Sequence, residues 1–182
     1  IEPKTGEVLA MVSSPTYDPR IMVGRARGKN HRLLQQDLWK PLLNRSIMGL
    51  YPPGSTFKTS QALTYMTEGV ITPSTAFACH RGFYHRGLHV GCHSHSSPIA
   101  LVDAISTSCN AYFCWGLYYM MGNRRKYHSV QDAMTTWRDY MVSMGFGYKL
   151  GIDLPGEKRG MIPNAESYDR NYRGSWNGLT II

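Results

Sequence analysis

Two short patterns in the sequence combine residue types that can perform nucleophilic catalysis. In the first, Ser55-Thr56-Phe57-Lys58, a serine and a lysine lie three positions apart behind a Pro-Pro-Gly segment that favours a helix start. Residues three apart on a helix share one face, so the amine of Lys58 is expected to reach the hydroxyl of Ser55. A partly desolvated lysine with a lowered pKa can remove the proton of that hydroxyl and create a nucleophile. An N-capping serine followed by a surface lysine is the simpler structural alternative.

The second pattern is Ser108-Cys109-Asn110, which follows a predicted helix. A hydroxyl and an amide two residues apart in a connection between helices can both face one cleft. The serine could then relay a proton to a leaving amine, while the asparagine holds an acyl-amide carbonyl and positions Lys58. Ser-x-Asn is a weak pattern by itself, because Ser175-Trp176-Asn177 also matches it. The order along the chain favours Ser108 and Asn110, since they follow the Ser55 helix.

Cysteine and histidine residues crowd the segment between these two patterns. They are Cys79, His80, His85, His89, Cys92, His93 and His95, and a further cysteine, Cys109, lies inside the second pattern. Zinc prefers cysteine and histidine ligands, and the predicted set is Cys79, Cys92 and His95 with Cys109 or His93 as the fourth. A Cys79–Cys92 disulfide, favoured in an oxidising compartment, is one alternative. Free thiols and exposed histidines without a metal are the other.

The elements that must position these residues are predicted to be mainly helices over residues 51–145. The sequence predicts a helix that starts at Ser55 and ends at Gly69, and a nearly all-round apolar, hence buried, helix in AYFCWGLYYMMG. The segment SVQDAMTTWRDYMVSMG repeats apolar residues at helical spacing and predicts an amphipathic helix. Because residues 1–15 predict a β-hairpin before these helices, the expected class is α+β, with a single domain over residues 1–182.

Composition limits the classes of protein to which the chain can belong. Its 182 residues are 42% hydrophobic and 18% charged, which suits a globular core and argues against disorder. The net charge of +8 is spread along the chain without a nucleic-acid-binding motif, so no nucleic-acid partner is predicted. No apolar run approaches the roughly 18 residues of a membrane span. Because the chain begins on Ile1 and ends within an apolar run, we expect it to be a fragment of a longer protein.

The combination of GLYPPGSTFKTSQAL with STSCNAYF resembles the transpeptidase domain of the class B penicillin-binding proteins. Nearly the whole chain takes part, since EPKTGEVLAMVSSPTYDP is similar to the opening hairpin of that family and LGIDLPGEKRGMIP to a segment after its second motif. The resemblance implies the fold of penicillin-binding proteins and serine β-lactamases, which joins a helical region to an antiparallel sheet. It also implies that Ser55 is the acylated nucleophile, Lys58 its base, and Ser108 and Asn110 the second-motif pair.

The third motif of this family, Lys-Thr/Ser-Gly, follows Ser-x-Asn on a strand at the edge of the active site. Lys4-Thr5-Gly6 has the right letters but precedes Ser55, so its position predicts the turn of the hairpin instead. No match follows Asn110, and the C-terminal strands of the fold are expected to be missing from this fragment. The fragment alone is therefore expected to react with penicillin slowly or not at all. Stoichiometric labelling of Ser55 by a fluorescent β-lactam would contradict this expectation.

The activity that the resemblance implies is that of a peptidoglycan D,D-transpeptidase, which cross-links stem peptides through an acyl-enzyme on Ser55 during cell-wall elongation. No cofactor is required for this catalysis, and β-lactams inhibit it. The implied partners are peptidoglycan stem peptides, β-lactam antibiotics, and a SEDS-family glycan polymerase with its elongation complex. A membrane anchor outside this fragment would place the enzyme at the periplasmic face of the inner membrane.

Two other functions share these motifs. A serine β-lactamase must deacylate with water, and class A enzymes use a glutamate after the second motif, but no glutamate occurs between Glu68 and Glu157. Class D enzymes would be expected to carry valine where this chain has Asn110. A domain that senses β-lactams without turnover is the second alternative. The segments EPKTGEVLAMVSSP and YPPGSTFK resemble the morphogenesis enzymes more than the sensors, and cross-linking activity of the full-length protein would separate the two.

Overall fold

The computed structural model describes residues 1–182 and contains eight α-helices, two 3₁₀ turns and two small antiparallel sheets. The helices are α1 (Arg27–Gln36), α2 (Arg45–Met48), α3 (Lys58–Thr67), α4 (Leu101–Ser106), α5 (Asn110–Met121), α6 (Val130–Ser143), α7 (Ala165–Tyr172) and α8 (Gly178–Ile181). The strands are β1 (Ala76–Phe77), β2 (Gly82–His85), β3 (Leu88–Gly91) and β4 (Ile99–Ala100). The 3₁₀ turns span Pro19–Met22 and Gly54–Phe57.

The chain divides into two compact units. The first, which we call the N-terminal unit, contains residues 1–51 and 148–160, and the second, the core unit, contains residues 52–147 and 161–182. All of the buried hydrophobic residues lie in the core unit. Both catalytic patterns and the cysteine-rich segment also belong to the core unit, so the candidate site is described within it.

Helix α5 is the central element of the core unit. Seven of its twelve residues are buried, because the helix is apolar on nearly every face and is surrounded by α3, α6, α8 and the small strands. Buried side chains of α6 recur at helical spacing and pack toward the same core: Val130, Ala133, Met134, Trp137 and Met141. A capping box between Ser129 and Asp132 begins α6. These observations confirm the buried and the amphipathic helix that the sequence predicts.

Each of the two sheets consists of only two short antiparallel strands. Strand β1 pairs with β4, which brings residues on either side of the cysteine-rich segment together, and β2 pairs with β3 in a four-residue ladder. The two residues that join β2 to β3, Arg86 and Gly87, both have positive φ values of 46° and 86°. This conformation matches the right-handed twist of the strands and suits a tight two-residue hairpin turn. The cysteine-rich segment therefore contains an ordered hairpin.

The N-terminal unit differs from the predicted opening hairpin. A turn forms where expected, closed by hydrogen bonds between Glu2 and Glu7 (2.9 Å) and from the Gly6 amide to Glu2 (2.8 Å), and Gly6 supplies the positive φ of 79°. No strand is formed between Glu7 and Ser14. The neighbouring segment of this unit, residues 43–46, bonds to it through side chains, as in Ser13 Oγ to the Leu43 carbonyl (3.1 Å) and Ser46 Oγ to the Val12 carbonyl (3.1 Å), and these bonds do not make a backbone ladder. The triplet Lys4-Thr5-Gly6 is thus part of a turn, as predicted from its position.

No helix in the structure combines the length and the apolar character that crossing a bilayer requires.

Candidate active site

The Ser55 pattern forms a tight turn that leads directly into a helix. Residues Gly54–Phe57 form a 3₁₀ turn, and the α-helical part of the segment begins at Lys58, three residues later than predicted. Positions i and i+3 lie almost in register in a 3₁₀ turn, so Ser55 and Lys58 leave the chain on the same side. The side chain of Ser55 is exposed, whereas Lys58 is partly buried. The nucleophile candidate is therefore open to a substrate while its predicted base is sheltered.

Lys58 is held by the second pattern, which lies 50 residues further along the chain. Its Nζ donates to the backbone oxygen of Ser108 (2.6 Å), to the Oγ of Ser108 (2.9 Å) and to the Oδ1 of Asn110 (2.6 Å). The amine also lies 5.8 Å from the centroid of the Phe113 ring, a cation–π distance. No hydrogen bond joins Lys58 to Ser55 in this state, so the predicted contact within the first pattern is replaced by contacts with the second.

The second pattern occupies the connection between α4 and α5. Ser108 has a positive φ of 57°, an unusual conformation for a residue with a side chain, which turns the chain sharply and directs its carbonyl and hydroxyl toward Lys58. Cys109 is the N-cap of α5 and accepts the Tyr112 amide at its sulfur (3.4 Å). Asn110 is the first residue of α5. The start of α5 therefore fixes both candidate residues relative to α3.

Strand β3 orients the side chain of Asn110, a contact that the sequence does not predict. The Nδ2 of Asn110 donates to the carbonyl of Gly91 (2.8 Å), and its backbone amide donates to the Sγ of Cys92 (3.3 Å). Because Nδ2 of Asn110 donates to a carbonyl, its Oδ1 faces the Lys58 amine. The flipped amide would place Nδ2 against the Lys58 amine, a donor against a donor, and Oδ1 against the Gly91 carbonyl, an acceptor against an acceptor. No local signal in the sequence could reveal this contact, because it joins residues 19 positions apart.

A cavity of about 240 Å³ lies beside Lys58. Its walls are mostly apolar and come from the 54–58 turn, α3, α5, β3 and the last two residues. They are lined by Gly54, Phe57, Lys58, Gln61, Tyr65, Val90, Asn110, Phe113, Cys114, Leu117, Ile181 and Ile182. A concave apolar site with a few convergent polar groups is typical of ligand binding. Its polar groups include Lys58 and Asn110, one residue from each predicted motif, together with Gln61 and Tyr65, and the presence of both motifs supports assigning the chemistry to this place.

Burial lowers the pKa of Lys58 from its usual value near 10.5. Desolvation disfavours the ammonium form, and the neighbouring thiols Cys92, Cys109 and Cys114 oppose this effect only in part. A lysine with a lowered pKa is neutral, and thus able to accept a proton, over a wider pH range than an exposed lysine. The environment of Lys58 therefore favours the base role that the sequence predicts.

The structure brings four of the cysteine and histidine residues together beside the second pattern. One ligand atom from each of Cys79, Cys92, His95 and Cys109 lies within 4.8 Å of the others. This is the set predicted as zinc ligands, with Cys109 rather than His93 as the fourth member. All four cysteines of the chain are free thiols in the structure, so the alternative Cys79–Cys92 disulfide is not formed.

The pKa values of these thiols differ according to their surroundings. Burial raises the pKa of Cys109 to about 12 and also raises that of Cys79. Burial alone would raise the pKa of Cys92 as well, but hydrogen bonds from His95 and the Asn110 amide lower it to about 7. A cation would stabilise all of the thiolates together, because its charge exceeds any other in the group. Soft sulfur and imidazole donors in a set of four fit a tetrahedral zinc ion.

The second match to the Ser-x-Asn pattern has a structural role. Asn177 is the N-cap of α8 and accepts the Leu179 amide at 2.8 Å, and Trp176 donates to Asp169 at 2.6 Å. Neither Ser175 nor Asn177 contacts Lys58, whose partners are those of the first match. The structure thus separates the two matches in the way that their order along the chain predicts.

The chain belongs to the family of the penicillin-binding protein transpeptidase domains. The family model described as "penicillin binding protein transpeptidase domain" matches residues 1–181. Among curated relatives, the peptidoglycan D,D-transpeptidase MrdA of Acinetobacter baumannii is 34% identical over 191 residues, which cover 100% of this chain and 26% of the relative. The chain thus spans about a quarter of the length of that relative.

Solved structures of the same family share the fold. Pseudomonas aeruginosa PBP2 in complex with WCK 5153 has a TM-score of 0.74 at 31% identity, over 98% of this chain and 39% of that one. A peptidoglycan synthase complex that coordinates polymerization and crosslinking contains a chain with a TM-score of 0.76 at 28% identity, over 98% of this chain and 30% of that one. These comparisons confirm the predicted family and the predicted α+β transpeptidase fold.

Proposed function

We propose that this chain carries the acylation centre of a peptidoglycan D,D-transpeptidase that cross-links stem peptides during cell-wall elongation. Ser55 is the nucleophile, Lys58 its base, and Ser108 and Asn110 complete the site. The observation that carries the proposal is the contact of the Lys58 amine with the Ser108 hydroxyl (2.9 Å) and the Asn110 amide oxygen (2.6 Å). Two motifs far apart in the sequence meet there at one partly buried amine, and the first motif also carries the exposed Ser55.

In the acylation step, Ser55 attacks the carbonyl that precedes the terminal D-alanine of a donor stem peptide. Lys58 in its neutral form accepts the hydroxyl proton. As the carbon–nitrogen bond breaks, Ser108 passes its hydroxyl proton to the departing D-alanine amine and regains one from Lys58, which it contacts at 2.9 Å, so that Lys58 is neutral again. Asn110 holds Lys58 in place and offers its amide to the substrate backbone. The amine of an acceptor stem peptide then attacks the acyl-enzyme, which forms the cross-link and regenerates Ser55.

A β-lactam would be opened by the same attack of Ser55 and remain as a stable ester. A β-lactamase must also hydrolyse that ester, for which class A enzymes use a glutamate. The first glutamate after the second motif, Glu157, accepts the backbone amides of Leu150 (2.6 Å) and Gly151 (3.1 Å), so its carboxylate closes a loop in the N-terminal unit. This arrangement supports a transpeptidase over a β-lactamase.

We further propose that a structural zinc ion is held by four residues: Cys79, Cys92, His95 and Cys109. The ion would tie the β2–β3 hairpin and the loop after it to the start of α5, and it would take no part in catalysis. The support is the approach of all four ligand atoms to within 4.8 Å. Purified protein is expected to contain about one zinc per chain by elemental analysis. Cys79→Ser should remove the metal, whereas Cys114→Ser, outside the cluster, should keep it. Purified wild type without zinc would contradict the proposal.

The remaining parts of the proposal concern the whole protein. A membrane anchor outside these residues places the enzyme on the periplasmic face of the inner membrane, and a SEDS-family glycan polymerase with its elongation complex is the partner. The support is the similarity to a chain of the peptidoglycan synthase complex, at a TM-score of 0.76. Co-purification of the full-length protein with such a polymerase from membranes would test this, and recovery of the protein without a polymerase would contradict it.

The enzymatic proposal is tested by cross-linking with the full-length protein. Wild type supplied with peptidoglycan strands bearing pentapeptide stems should form cross-linked dimers and release D-alanine, and Ser55→Ala should form none. Ser60→Ala, on the adjoining helix α3, is the matched control and should retain activity. Release of D-alanine without cross-links would favour a hydrolase, and cross-linking by Ser55→Ala would overturn the assignment of the nucleophile.

A further inference from the structure

The cavity beside Lys58 and a second cavity share the same three walls. Val90 of β3, one side of α5 and the last two residues, Ile181 and Ile182, line the first cavity. The second cavity, of about 160 Å³, is lined by Arg86 at the turn of the β2–β3 hairpin, by the end of α5 and by the first residues of α8. Both cavities therefore lie along α5, between the hairpin and α8.

Side chains of α5 connect the two cavities. Cys114 and Leu117 line the first, and Tyr118 and Met121, each four positions further along, line the second. Residues four apart share one face of a helix, so the two cavities follow one another along that face. The helix rises by about 16 Å from Asn110 to Met121, at about 1.5 Å per residue. An extended peptide covers that distance with about five residues.

The second cavity holds two positive charges and no negative one. Arg86 and Arg124 belong to its lining, which includes no acidic residue. The two ion pairs of the structure involve other residues, and neither of these guanidinium groups donates a hydrogen bond to a protein oxygen. An arginine offers five N–H donors in a planar fork that matches a carboxylate. The donors of both side chains are thus available to an anionic ligand.

We propose that this second cavity, the arginine subsite (Arg86 and Arg124), binds a carboxylate of a peptidoglycan stem peptide while Ser55 reacts. The inference rests on the proposed function, because it concerns the substrate of the same site, and it adds a preference for acidic over amidated stem peptides. The carboxylate belongs to the donor strand or to the acceptor strand. Both strands offer the same chemistry to the arginines, and the experiment separates them.

A purely structural role is the competing explanation for Arg124. It lies just beyond the C-terminal end of α5, where a cation interacts favourably with the helix dipole. Such a role does not apply to Arg86, which lies at the tip of the hairpin on the other side of the cavity. Loss of a structural cation lowers the midpoint of thermal unfolding but leaves the choice between acidic and amidated substrates unchanged.

The size and the kind of the effect follow from the position of the subsite. Pairs between exposed arginines and carboxylates are weak, so we expect each arginine to change the KM by about 5-fold. The subsite lies about 16 Å along α5 from the catalytic groups, and its contacts are the same in the ground state and in the transition state. Uniform binding of this kind changes KM and leaves kcat unchanged.

The experiment measures cross-linking by the full-length protein with synthetic strands that bear pentapeptide stems. The donor and the acceptor strand are each supplied with free or with amidated side-chain carboxylates, in all four combinations. For wild type, amidation of the strand that occupies the subsite should raise the KM by about 5-fold or more at constant kcat, and amidation of the other strand should not. The strand that responds is thereby identified. Arg86→Gln and Arg124→Gln should each weaken the preference, and the double variant should lose it.

The chain offers a matched control for each arginine. Arg81→Gln removes the same charge at the other end of the hairpin, at a residue that also has a positive φ, of 58°. Arg125→Gln does so next to Arg124, and neither Arg81 nor Arg125 lines the cavity. Both controls should keep the preference of the wild type. All of these variants should be acylated by a fluorescent penicillin at the wild-type rate, because a penicillin is too short to reach the subsite.

Equal KM values of wild type for free and amidated strands would overturn the inference. A preference that survives in the double variant, or one that is lost to the same extent in Arg125→Gln, would overturn it as well. If Arg124→Gln does not fold, Arg86→Gln with its control Arg81→Gln provides the same test. Failure of wild type to be acylated by penicillin would instead contradict the proposed function, so the two failures are distinguishable.

Discussion

At the scale of single residues, the candidate site depends on how Lys58 is held. Its amine donates to three oxygens, all of them from Ser108 and Asn110, and burial lowers its pKa. The same contacts explain why Ser108 adopts a positive φ of 57°, since this conformation directs both of its oxygens to the amine. The amine of Lys58 is thus fixed by the second pattern, three residues along the chain from the exposed Ser55.

Removal of the Asn110 side chain should slow acylation without preventing folding. Asn110→Ala deletes a 2.6 Å hydrogen bond to a charged group. Such bonds contribute about 1.5–3 kcal/mol, which corresponds to about 10- to 100-fold in rate. The rate constant of acylation by a fluorescent penicillin, measured on the full-length protein, checks this. Asn177→Ala, in the second Ser-x-Asn match, is the control and should be acylated at the wild-type rate, and equal losses in both variants would argue against a specific role for Asn110.

At the scale of elements, α3 and α5 cross at a glycine. A Cβ placed on Gly116 would lie 2.5 Å from the Cε2 of Tyr65, whose ring is 1% exposed and donates its hydroxyl to the Phe113 carbonyl at 3.2 Å. Glycine therefore permits the close approach of the two helices that carry Lys58 and Asn110. Because the ring is buried and hydrogen-bonded, it cannot move aside freely.

The substitution Gly116→Ala should separate these helices. We expect overpacking to destabilise the protein by about 1–3 kcal/mol, which outweighs the gain of about 1 kcal/mol in helix propensity. Differential scanning fluorimetry should show a lower midpoint of thermal unfolding, and acylation should slow as Lys58 moves away from Asn110. Gly28→Ala is the matched control, since nothing lies within 4 Å of its added Cβ. An unchanged midpoint for Gly116→Ala would contradict this account of the crossing.

A buried carboxylate ties the end of α3 to α6. Glu68 accepts the hydroxyls of Tyr127 and Tyr140, the latter at 2.7 Å, and pairs with Lys126 at 2.7 Å. Burial alone would raise the pKa of Glu68, but these donors outweigh it and lower the pKa below the ordinary value of 4.5. The ionised form is therefore the one that stabilises the fold.

Substitution of Glu68 should show this contribution and its dependence on pH. Glu68→Gln should lower the free energy of unfolding by about 2 kcal/mol near neutral pH, while the exposed Glu166→Gln changes it little. Because the folded-state pKa is depressed, the stabilisation is complete above about pH 4.5 and is lost as the pH falls through the folded-state value. Urea unfolding of each variant between pH 3 and 7 checks this. A difference between wild type and Glu68→Gln that stays constant down to pH 3 would contradict it.

At the scale of the whole molecule, the sequence predicts those features that local pattern determines. The buried helix α5 and the amphipathic helix α6 follow from hydrophobic periodicity, and the turn at Lys4-Thr5-Gly6 follows from its glycine and its position. The four members of the site were predicted because their motifs are local and recognisable. The Gly91 and Cys92 contacts of Asn110 were not, since hydrogen bonds between distant segments leave no local pattern.

The second strand of the predicted hairpin, from Glu7 to Ser14, is a case in which the local pattern predicts an element that the structure does not form. Its composition favours an extended chain, but a strand exists only where the backbone of a neighbour completes its hydrogen bonds, and the bonds from residues 43–46 to this segment pass through side chains. Likewise, the Ser55 segment was predicted to be helical from its first residue, whereas the structure has a 3₁₀ turn until Phe57. Within this turn Gly54 has a positive φ of 61° and Thr56 donates its hydroxyl to the Pro53 carbonyl at 2.6 Å, details that a pattern of helix-forming residues does not specify.

Identification of the residue that carries the acyl group tests the central claim most directly. The full-length protein is incubated with a penicillin, quenched, digested, and the modified peptide is sequenced by tandem mass spectrometry. The account predicts a single penicilloyl adduct on Ser55, absent from Ser55→Ala and much slower to form in Lys58→Met. An adduct on any other residue, or full labelling of Ser55→Ala, would contradict it.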